Sequence, residues 1–351
     1  MDSLVDHFHV ALVLRDLLEP GIDPPHAFTA LDRLAAALPG MRGPRVLISH
    51  EWLAACTQEQ ALRLHGVLEG FEIHVVITAR DLARQIPSDW QQCIQQRQSQ
   101  TYADFLNGII EPARKHEFWR YHDVVEIAAR WRGNLPADRV HVVTVPVSGS
   151  PPGVLLERFC SLLDLDPALL RHTPARDNPS LGAIQAEVLR RVNVALGDRL
   201  QHSRAGYGRV GKRYLAGKVL APQPSPPLSL PAHLADWCQH VSADTVRQLS
   251  DARYDVVGDL RELMPTWPTA QTAAAEVSDA DVAESAVQAL ASMLEQRHLD
   301  LERLGQLRER VRSQEARIQE LKEAQMNARL LRAPAWPLRR LGRGRSAGGT
   351  E

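Results

Sequence analysis

Arg80 opens the first of two groups of residues whose types and spacing suit the binding and transfer of an anionic group. It follows a β-branched run, and Arg84 and Ser88 come four and eight residues later. A guanidinium and a hydroxyl so spaced can converge on one anion, the guanidinium giving two charge-assisted hydrogen bonds and the hydroxyl a third. The residues alone also allow a structural alternative, in which Arg80 pairs with Asp81 or Asp104 and Ser88 only caps a helix.

His50 and Glu51 form the second group, at the end of another β-branched run, residues 45–50. A histidine has a pKa near neutrality and can take a proton from a hydroxyl acceptor. A desolvated glutamate can do the same work. Both residues are therefore candidates for a general base. The alternative for His50 is a hydrogen-bonded core histidine, since the chain contains 14 histidines.

An α/β fold would place these residues at one edge of a sheet. Three short runs rich in Val and Ile, residues 45–50, 72–80 and 139–146, alternate with amphipathic segments. Nearly continuous apolar runs of this length are typical of strands buried on both faces of a parallel sheet. Ligands bind such sheets at the carboxyl ends of the strands, where His50 and Arg80 fall. The alternation predicts an α/β fold with right-handed crossovers.

Helices are predicted between and after these strands. Their ranges are 51–68, 81–98, 102–108, 123–131, 154–163, 177–196 and 233–253. Asn178 and Pro179 have the types expected for a helix cap and a first helical position. The proline-rich residues 219–231 could be a linker, but a helix and the apolar residues 254–263 follow them. This order favours a rigid strap across the domain.

The chain divides into a domain and a C-terminal extension. Residues 1–265 are expected to form one α/β domain, and residues 266–280 a linker. Residues 281–332 carry apolar side chains at helical spacing, although an arginine and a glutamate interrupt the seam, which predicts a long helix and a weakly specified coiled coil. Residues 333–351 are basic, and we expect a solvated, disordered tail rather than a membrane contact.

Composition excludes several classes of protein. With 41 basic and 42 acidic side chains among 351 residues, the chain has no overall field for nucleic acid. No apolar stretch approaches the roughly 18 residues of a membrane helix, and the N-terminal residues lack the pattern of an export signal. The four cysteines lie far apart, which indicates reduced thiols rather than disulfides or a zinc site. We therefore expect a cytoplasmic protein without a metal ion.

The order of elements, together with four short phrases, resembles the sulfotransferase family. The phrases are ISHE at residues 48–51, TARDLARQIPSDWQ at 78–91, NPSLG at 178–182 and RYDVVGDL at 253–260. The likeness extends from about His7 to Pro265 and is greatest to bacterial sulfotransferase-like proteins. That family transfers a sulfuryl group from 3′-phosphoadenosine 5′-phosphosulfate (PAPS) to a hydroxyl or amine, on a P-loop-type parallel sheet flanked by helices.

The resemblance implies a role for each candidate residue. Arg80 and Ser88 match the arginine and serine that bind the 3′-phosphate of PAPS, and Arg84 lies between them as a further candidate for cofactor binding. His50 matches the position of the general base, where other branches of the family use a glutamate, so Glu51 remains a candidate. PAPS is then the co-substrate, and the acceptor is a small molecule, a sugar or a lipid.

One part of the family pattern is missing. The family opens with a strand and a glycine-rich phosphosulfate loop that carries a lysine or arginine, and no such segment precedes His50. Either the true start lies upstream, or this is a degenerate homologue. We favour an upstream start, because the remaining strands and the pair Arg80 and Ser88 look intact. The chain as given is expected to be a poor catalyst.

A second hypothesis belongs to another class of function. The chain would be an inactive sulfotransferase-like scaffold that self-associates through its C-terminal helix. A nucleotide hydrolase or kinase is disfavoured, because the sequence contains no G-x-x-x-x-G-K-[ST] motif.

Overall fold

The protein was analysed as a computed structural model that describes most of the chain. The described residues are 5–41, 43, 45–170, 180–200, 204–267 and 277–331. The predicted cap at Asn178 and Pro179, residues 268–276 of the predicted linker and the predicted tail at 333–351 lie outside them. The chain forms two compact units, Met1–Ala289 and Leu290–Glu351.

A small parallel sheet lies at the centre of the first unit. Its strands are β1 (Val75–Ala79), β2 (Val140–Thr144) and β3 (Asp255–Val257), in the order β1-β2-β3. All five residues of β2 are buried, as expected for a central strand covered on both faces. The runs at 72–80 and 139–146 thus contain strands as predicted, and the apolar segment 254–263 supplies the third.

Most of the described residues are helical. In the first half of the chain the helices are α1 (Val5–Leu14), α2 (Ala30–Ala37), α3 (Gln58–Val67), α4 (Leu82–Gln95), α5 (Tyr102–Ile110), α6 (Glu117–His122) and α7 (Val124–Arg132). The second half adds α8 (Val154–Leu162), α9 (Ala183–Leu196), α10 (Arg204–Tyr207) with a π-helix at Gly208–Leu220, α11 (Ala235–Ala252) and α12 (Asp279–Leu331). The α/β class and the long C-terminal helix are confirmed.

The predicted strand at 45–50 is wrong. These residues form no regular secondary structure and pair with no strand among the described residues, and β1 pairs only with β2. A buried strand needs a neighbour to satisfy its backbone groups. Here Val46 and Leu47 are 38% and 46% exposed, and the Ser49 N–H bonds instead to Nδ1 of His7. The apolar character of the run was therefore insufficient to predict a strand.

The proline-rich segment is an ordered strap, as predicted. The Ala183 N–H, at the start of α9, donates to the Pro226 carbonyl at 2.9 Å, and the Ile184 N–H donates to Oγ of Ser225 at 3.1 Å. Gly182 approaches so closely that a Cβ there would overlap the Ser225 side chain. The strap thus satisfies the first amides of α9, which has no side-chain cap of its own.

Helix α12 begins against the first unit. Val282 is 5% exposed, and the Ser285 hydroxyl donates to Oε1 of Gln223, in the strap, at 2.6 Å. Among the described residues, no helix combines the length and apolar character needed to cross a bilayer.

Candidate functional site

The carboxyl ends of the three strands lie at one edge of the sheet, because the strands are parallel. Arg80 and Asp81 follow β1, Thr144 ends β2, and Gly258 and Asp259 follow β3. Side chains that leave this edge can converge on one ligand. It is the place at which the sequence predicted an anion site.

Arg80 is half-buried, and its Nε is a buried donor without a hydrogen-bond partner. Burial and then the nearby charge of Arg84 lower the pKa of Arg80 below its ordinary value, while Asp81 opposes the shift. A guanidinium nevertheless stays charged at neutral pH. The end of β1 therefore carries a partly desolvated positive charge with an unsatisfied N–H.

A small cavity adjoins this guanidinium. It has a volume of about 20 Å³, room for one or two water molecules. Its lining residues are Arg80, Leu82, Trp119, His122, Asp123, Val124, Ser242, Thr245 and Leu263. Ser242 is 2% exposed, and its hydroxyl lies beside the Cys238 thiol on the same helix. Arg80, whose Nε has no partner, thus lines a cavity large enough for water.

The two carboxylates near Arg80, Asp81 and Asp123, form ion pairs with other arginines. Asp123 caps α7 and accepts a hydrogen bond from Nη1 of Arg114 at 2.7 Å. Asp81 caps α4 through the Arg84 N–H at 3.0 Å and pairs with Nε of Arg84. The ion pair between Arg80 and Asp81 that the sequence left open is therefore not formed, although the charge of Asp81 still lies close to Arg80.

Arg84 serves a different purpose from Arg80. Besides pairing with Asp81, its Nη1 donates to the Pro146 carbonyl at 2.8 Å and its Nη2 to that of Val145 at 3.4 Å. These bonds link the start of α4 to the residues after β2. Because its N–H groups already donate to Asp81, Val145 and Pro146, Arg84 holds the ends of β1 and β2 together and is not available to bind a ligand.

Ser88 is exposed on α4 and does not cap it, because Asp81 does. The helix continues through Pro87 without a restart. Ser88 lies one turn beyond Arg84 on the same face of α4. It is not part of the Arg80 cavity, but the next residue, Asp89, accepts a hydrogen bond from Nε2 of His122 at 2.8 Å, and His122 lines that cavity.

His50 caps a short 3₁₀ helix at Glu51–Ala55. Its Nδ1 accepts a hydrogen bond from the Trp52 N–H at 3.2 Å, and the Phe8 ring lies 5.1 Å away, centroid to centroid. Burial lowers the pKa of His50 below its ordinary value, and Glu51 offsets part of this shift. A neutral imidazole whose Nδ1 accepts a hydrogen bond carries its proton on Nε2. Nε2 is then a donor and cannot accept a proton in this arrangement.

The two predicted groups belong to different clusters that meet at α6. On one side, Nη1 of Arg15 donates to the Tyr121 hydroxyl at 2.6 Å, and its guanidinium lies 5.4 Å from the centre of the Trp52 ring. On the other side, His122 lines the Arg80 cavity. Consecutive residues of α6 therefore contact the His50 cluster and the Arg80 cluster. No hydrogen bond or ion pair joins His50 to Arg80 in the described part of the chain.

A half-buried ion pair beside this edge was not predicted. Arg158, on α8, binds both carboxylate oxygens of Glu262, at 2.6 and 2.9 Å, and its Nη1 donates to the Thr144 carbonyl at 2.7 Å. The Thr144 hydroxyl also donates to Glu262. Gly258 has a φ of +114°, and a Cβ there would lie 2.9 Å from Cζ of Arg158. The glycine in the phrase RYDVVGDL was the one signal of this close approach.

A second polar chain crosses the opposite edge of the sheet. Nδ1 of His141 lies 2.6 Å from Oδ2 of Asp255, and its Nε2 lies 2.8 Å from Nδ1 of His74. The two imidazoles are stacked, with centroids 5.1 Å apart. The sequence signal was the histidine that each run carries beside its valines. Within the described residues, no group of three or more His, Cys, Asp or Glu side chains is placed to hold a metal ion.

Comparisons with known proteins identified no relative. No protein-family model, no curated protein and no solved structure matches the chain.

Proposed function

We propose that the chain is a sulfotransferase-like protein that binds PAPS at the carboxyl edge of the sheet. Arg80 and Ser88 would contact the 3′-phosphate, as the sequence resemblance implies. The observation that carries the proposal is the half-buried guanidinium of Arg80, which follows β1 and whose buried Nε has no partner. An unsatisfied buried donor is costly, and an anion is the partner that a guanidinium binds best.

A phosphate group is larger than the Arg80 cavity, so binding requires the guanidinium to move. Arg80 forms no hydrogen bond or ion pair among the described residues, and its movement therefore breaks none. Ser88 lies about 9 Å along α4 from Leu82, the first helical residue. A phosphate held at the surface of α4 could accept from both side chains. Arg84 would keep its structural bonds.

In such a reaction PAPS supplies the activated sulfuryl group. The acceptor oxygen or nitrogen forms a bond to sulfur, the bond from sulfur to the phosphate oxygen breaks, and the acceptor proton passes to a base. Glu51 is the other candidate for that base, since Nε2 of His50 carries a proton, and the exposed side chain of Glu51 would have to be desolvated by the bound acceptor to act as one. Nε2 of His50 would donate a hydrogen bond to an oxygen of the acceptor or of the sulfuryl group.

The acceptor is proposed to be a small molecule, sugar or lipid, and the location cytoplasmic. In the described residues, no glycine-rich turn with a lysine follows a strand. These residues therefore offer little positive charge to stabilise the departing phosphate oxygen, and we expect the sulfuryl group to be transferred slowly.

Binding of adenosine 3′,5′-bisphosphate and of 5′-AMP by the full chain tests this proposal, with isothermal titration as the measurement. The two ligands differ only in the 3′-phosphate, and the wild type should prefer the bisphosphate. Arg80→Gln should weaken bisphosphate binding about 10- to 100-fold, the value of a charged hydrogen-bonding pair, and should abolish the preference.

Arg63→Gln is the matched control and should keep the preference. Arg63 lies on α3, half-exposed, with a single loose ion pair of 3.9 Å to Asp16. An unchanged preference in Arg80→Gln would refute the assignment of Arg80 to the 3′-phosphate.

An inactive scaffold is the second candidate. It is favoured by the pairing of Arg84 with Asp81 and of Arg158 with Glu262, because neither arginine is then free to stabilise a departing phosphate oxygen. Transfer of labelled sulfate from PAPS to a panel of hydroxyl and amine acceptors separates the two candidates. Bisphosphate binding without any transfer would favour the scaffold.

A further inference from the structure

One face of α12 is apolar, exposed and periodic. If Val287 is given heptad position a, the a and d positions form a seam from residue 287 to residue 325. Its apolar members are Val287, Leu290, Leu294, Leu301, Leu304, Val311 and Ile318, with exposures of 42–72%. A stripe with this spacing is the core of a coiled coil that has no partner among the described residues.

Four charged side chains interrupt the seam: Arg297, Arg308, Glu315 and Lys322. None of them forms an ion pair in the described residues. Charges outside the seam do so, as in the pairs Arg312–Glu309 and Arg317–Glu320, at 3.4 and 3.3 Å. The four seam charges can therefore pair with charges on a partner helix. They limit which helix can bind and whether it binds parallel or antiparallel to α12.

A parallel, in-register copy of α12 fits this pattern poorly. In that arrangement each a or d residue faces its own equivalent. Arg297, Arg308, Glu315 and Lys322 would each meet a like charge. Charge repulsion in four core layers disfavours the parallel dimer.

An antiparallel copy removes the repulsion in one register. In antiparallel coiled coils each a position faces a d position of the partner. When the two-fold axis crosses Gln306, Glu315 faces Arg297 of the second copy, and the same pair recurs by symmetry. Leu301 then faces Val311, and Leu294 faces Ile318. Arg308 faces Leu304 and Lys322 faces Leu290, so these two charges meet apolar side chains rather than like charges. We propose that α12 forms an antiparallel homodimer in this register, with Arg297 and Glu315 as its specificity pair.

The positions beside the seam agree with this register. Leu307, at position g, faces Leu307 of the second copy across the axis, and Met293 faces Leu321. Gly305, at position e, faces its own equivalent, so no side chain separates the helices there. These apolar residues outside the seam have no role in a single helix, yet they widen the dimer interface.

Neighbouring antiparallel registers lose these matches. A shift of one heptad in one direction brings Arg297 opposite Arg308. A shift in the other direction brings Arg297 opposite Lys322. The proposed register overlaps residues 287–325, about 58 Å of helix. The proposed dimer does not depend on the proposed binding of a nucleotide by the first unit.

Charge reversal in the full chain tests the pairing, with sedimentation equilibrium as the measurement. Glu315→Arg should raise the dimer dissociation constant by about tenfold or more, because two symmetric attractions become repulsions. Adding Arg297→Glu should restore it to within a few-fold of the wild type. Glu320→Arg makes the same charge change at an outer position and should have little effect. A monomeric wild type, or a double variant no better than the single one, would overturn the proposal.

Engineered cysteines test direction and register. Leu307→Cys should form a disulfide-linked dimer under mild oxidation, because the proposed register, unlike the neighbouring antiparallel registers, brings the two copies of residue 307 together. Leu294→Cys should remain uncrosslinked, since Leu294 lies against Ile318 in the antiparallel dimer. Crosslinking of Leu294→Cys without Leu307→Cys would show a parallel dimer and contradict the proposal.

Discussion

His50 shows how one hydrogen bond can change the role of a residue. Its place near the end of an apolar run predicted a general base. The Trp52 N–H, however, donates to Nδ1, which leaves the proton of the neutral ring on Nε2. The same side chain is therefore better suited to donate a hydrogen bond than to accept a proton.

We predict that nitrogen-15 NMR at pH 7 will find His50 neutral with its proton on Nε2, and a titration midpoint below the ordinary value. Since burial is the main cause of the lowered pKa, Phe8→Ala should raise it towards that value. Phe71→Ala, at a residue 47% exposed, is the control and should not move it. A proton on Nδ1 would contradict the assignment.

The sign of the pH effect on stability follows from the same shift. The pKa of His50 is lower in the folded chain than in the unfolded chain, where it is about 6.5. The residue therefore stabilises the fold above pH 6.5 or so. That contribution is lost as the pH falls through the folded-state pKa.

At the scale of elements, the sheet edge is held by paired charges. Arg84 links α4 to the residues after β2, and Arg158 links α8, β2 and the turn at Glu262. Sequence spacing located Arg80 and Arg84 near one strand end. It could not show which arginine would be paired, because the partner carbonyls lie about 60 residues away.

Loss of the Arg158–Glu262 pair should be costly. Both side chains are less than 20% exposed, and removal of one leaves the other charge half-buried without its partner. Arg158→Ala should lower the free energy of unfolding by about 3 kcal/mol, measured by urea denaturation. Arg261→Ala is the control, because Arg261 is 87% exposed, and it should leave the free energy of unfolding nearly unchanged. Equal losses in the two variants would contradict a structural role for the buried pair.

The elements themselves were partly predictable. Apolar runs bounded by helix caps identified β1, β2 and most helices, because burial on both faces of a sheet leaves a continuous apolar signal. The same signal failed at residues 45–50, since an apolar run shows burial potential but not a neighbouring strand. β3 was not predicted as a strand, although residues 254–263 were recognised as apolar, because three residues are too short for a clear pattern.

At the scale of the whole molecule, the chain combines an α/β unit with a helix that has its own periodicity. The α/β class and the long helix follow from patterns that extend over many residues. The Arg80 cavity does not, because it depends on α6, α11 and the turn at Leu263 meeting beside β1. The proposed sulfotransferase function depends mainly on the binding of the 3′-phosphate by Arg80.

The Nε–H signal of Arg80 provides the most direct test of that proposal. In arginine-labelled full chain, with the signal assigned by Arg80→Lys, saturation with adenosine 3′,5′-bisphosphate should shift this resonance and slow its exchange with solvent, because the unpartnered donor gains an anion. Saturation with 5′-AMP should leave it nearly unchanged. A signal that responds to neither ligand, or equally to both, would contradict a 3′-phosphate site at Arg80.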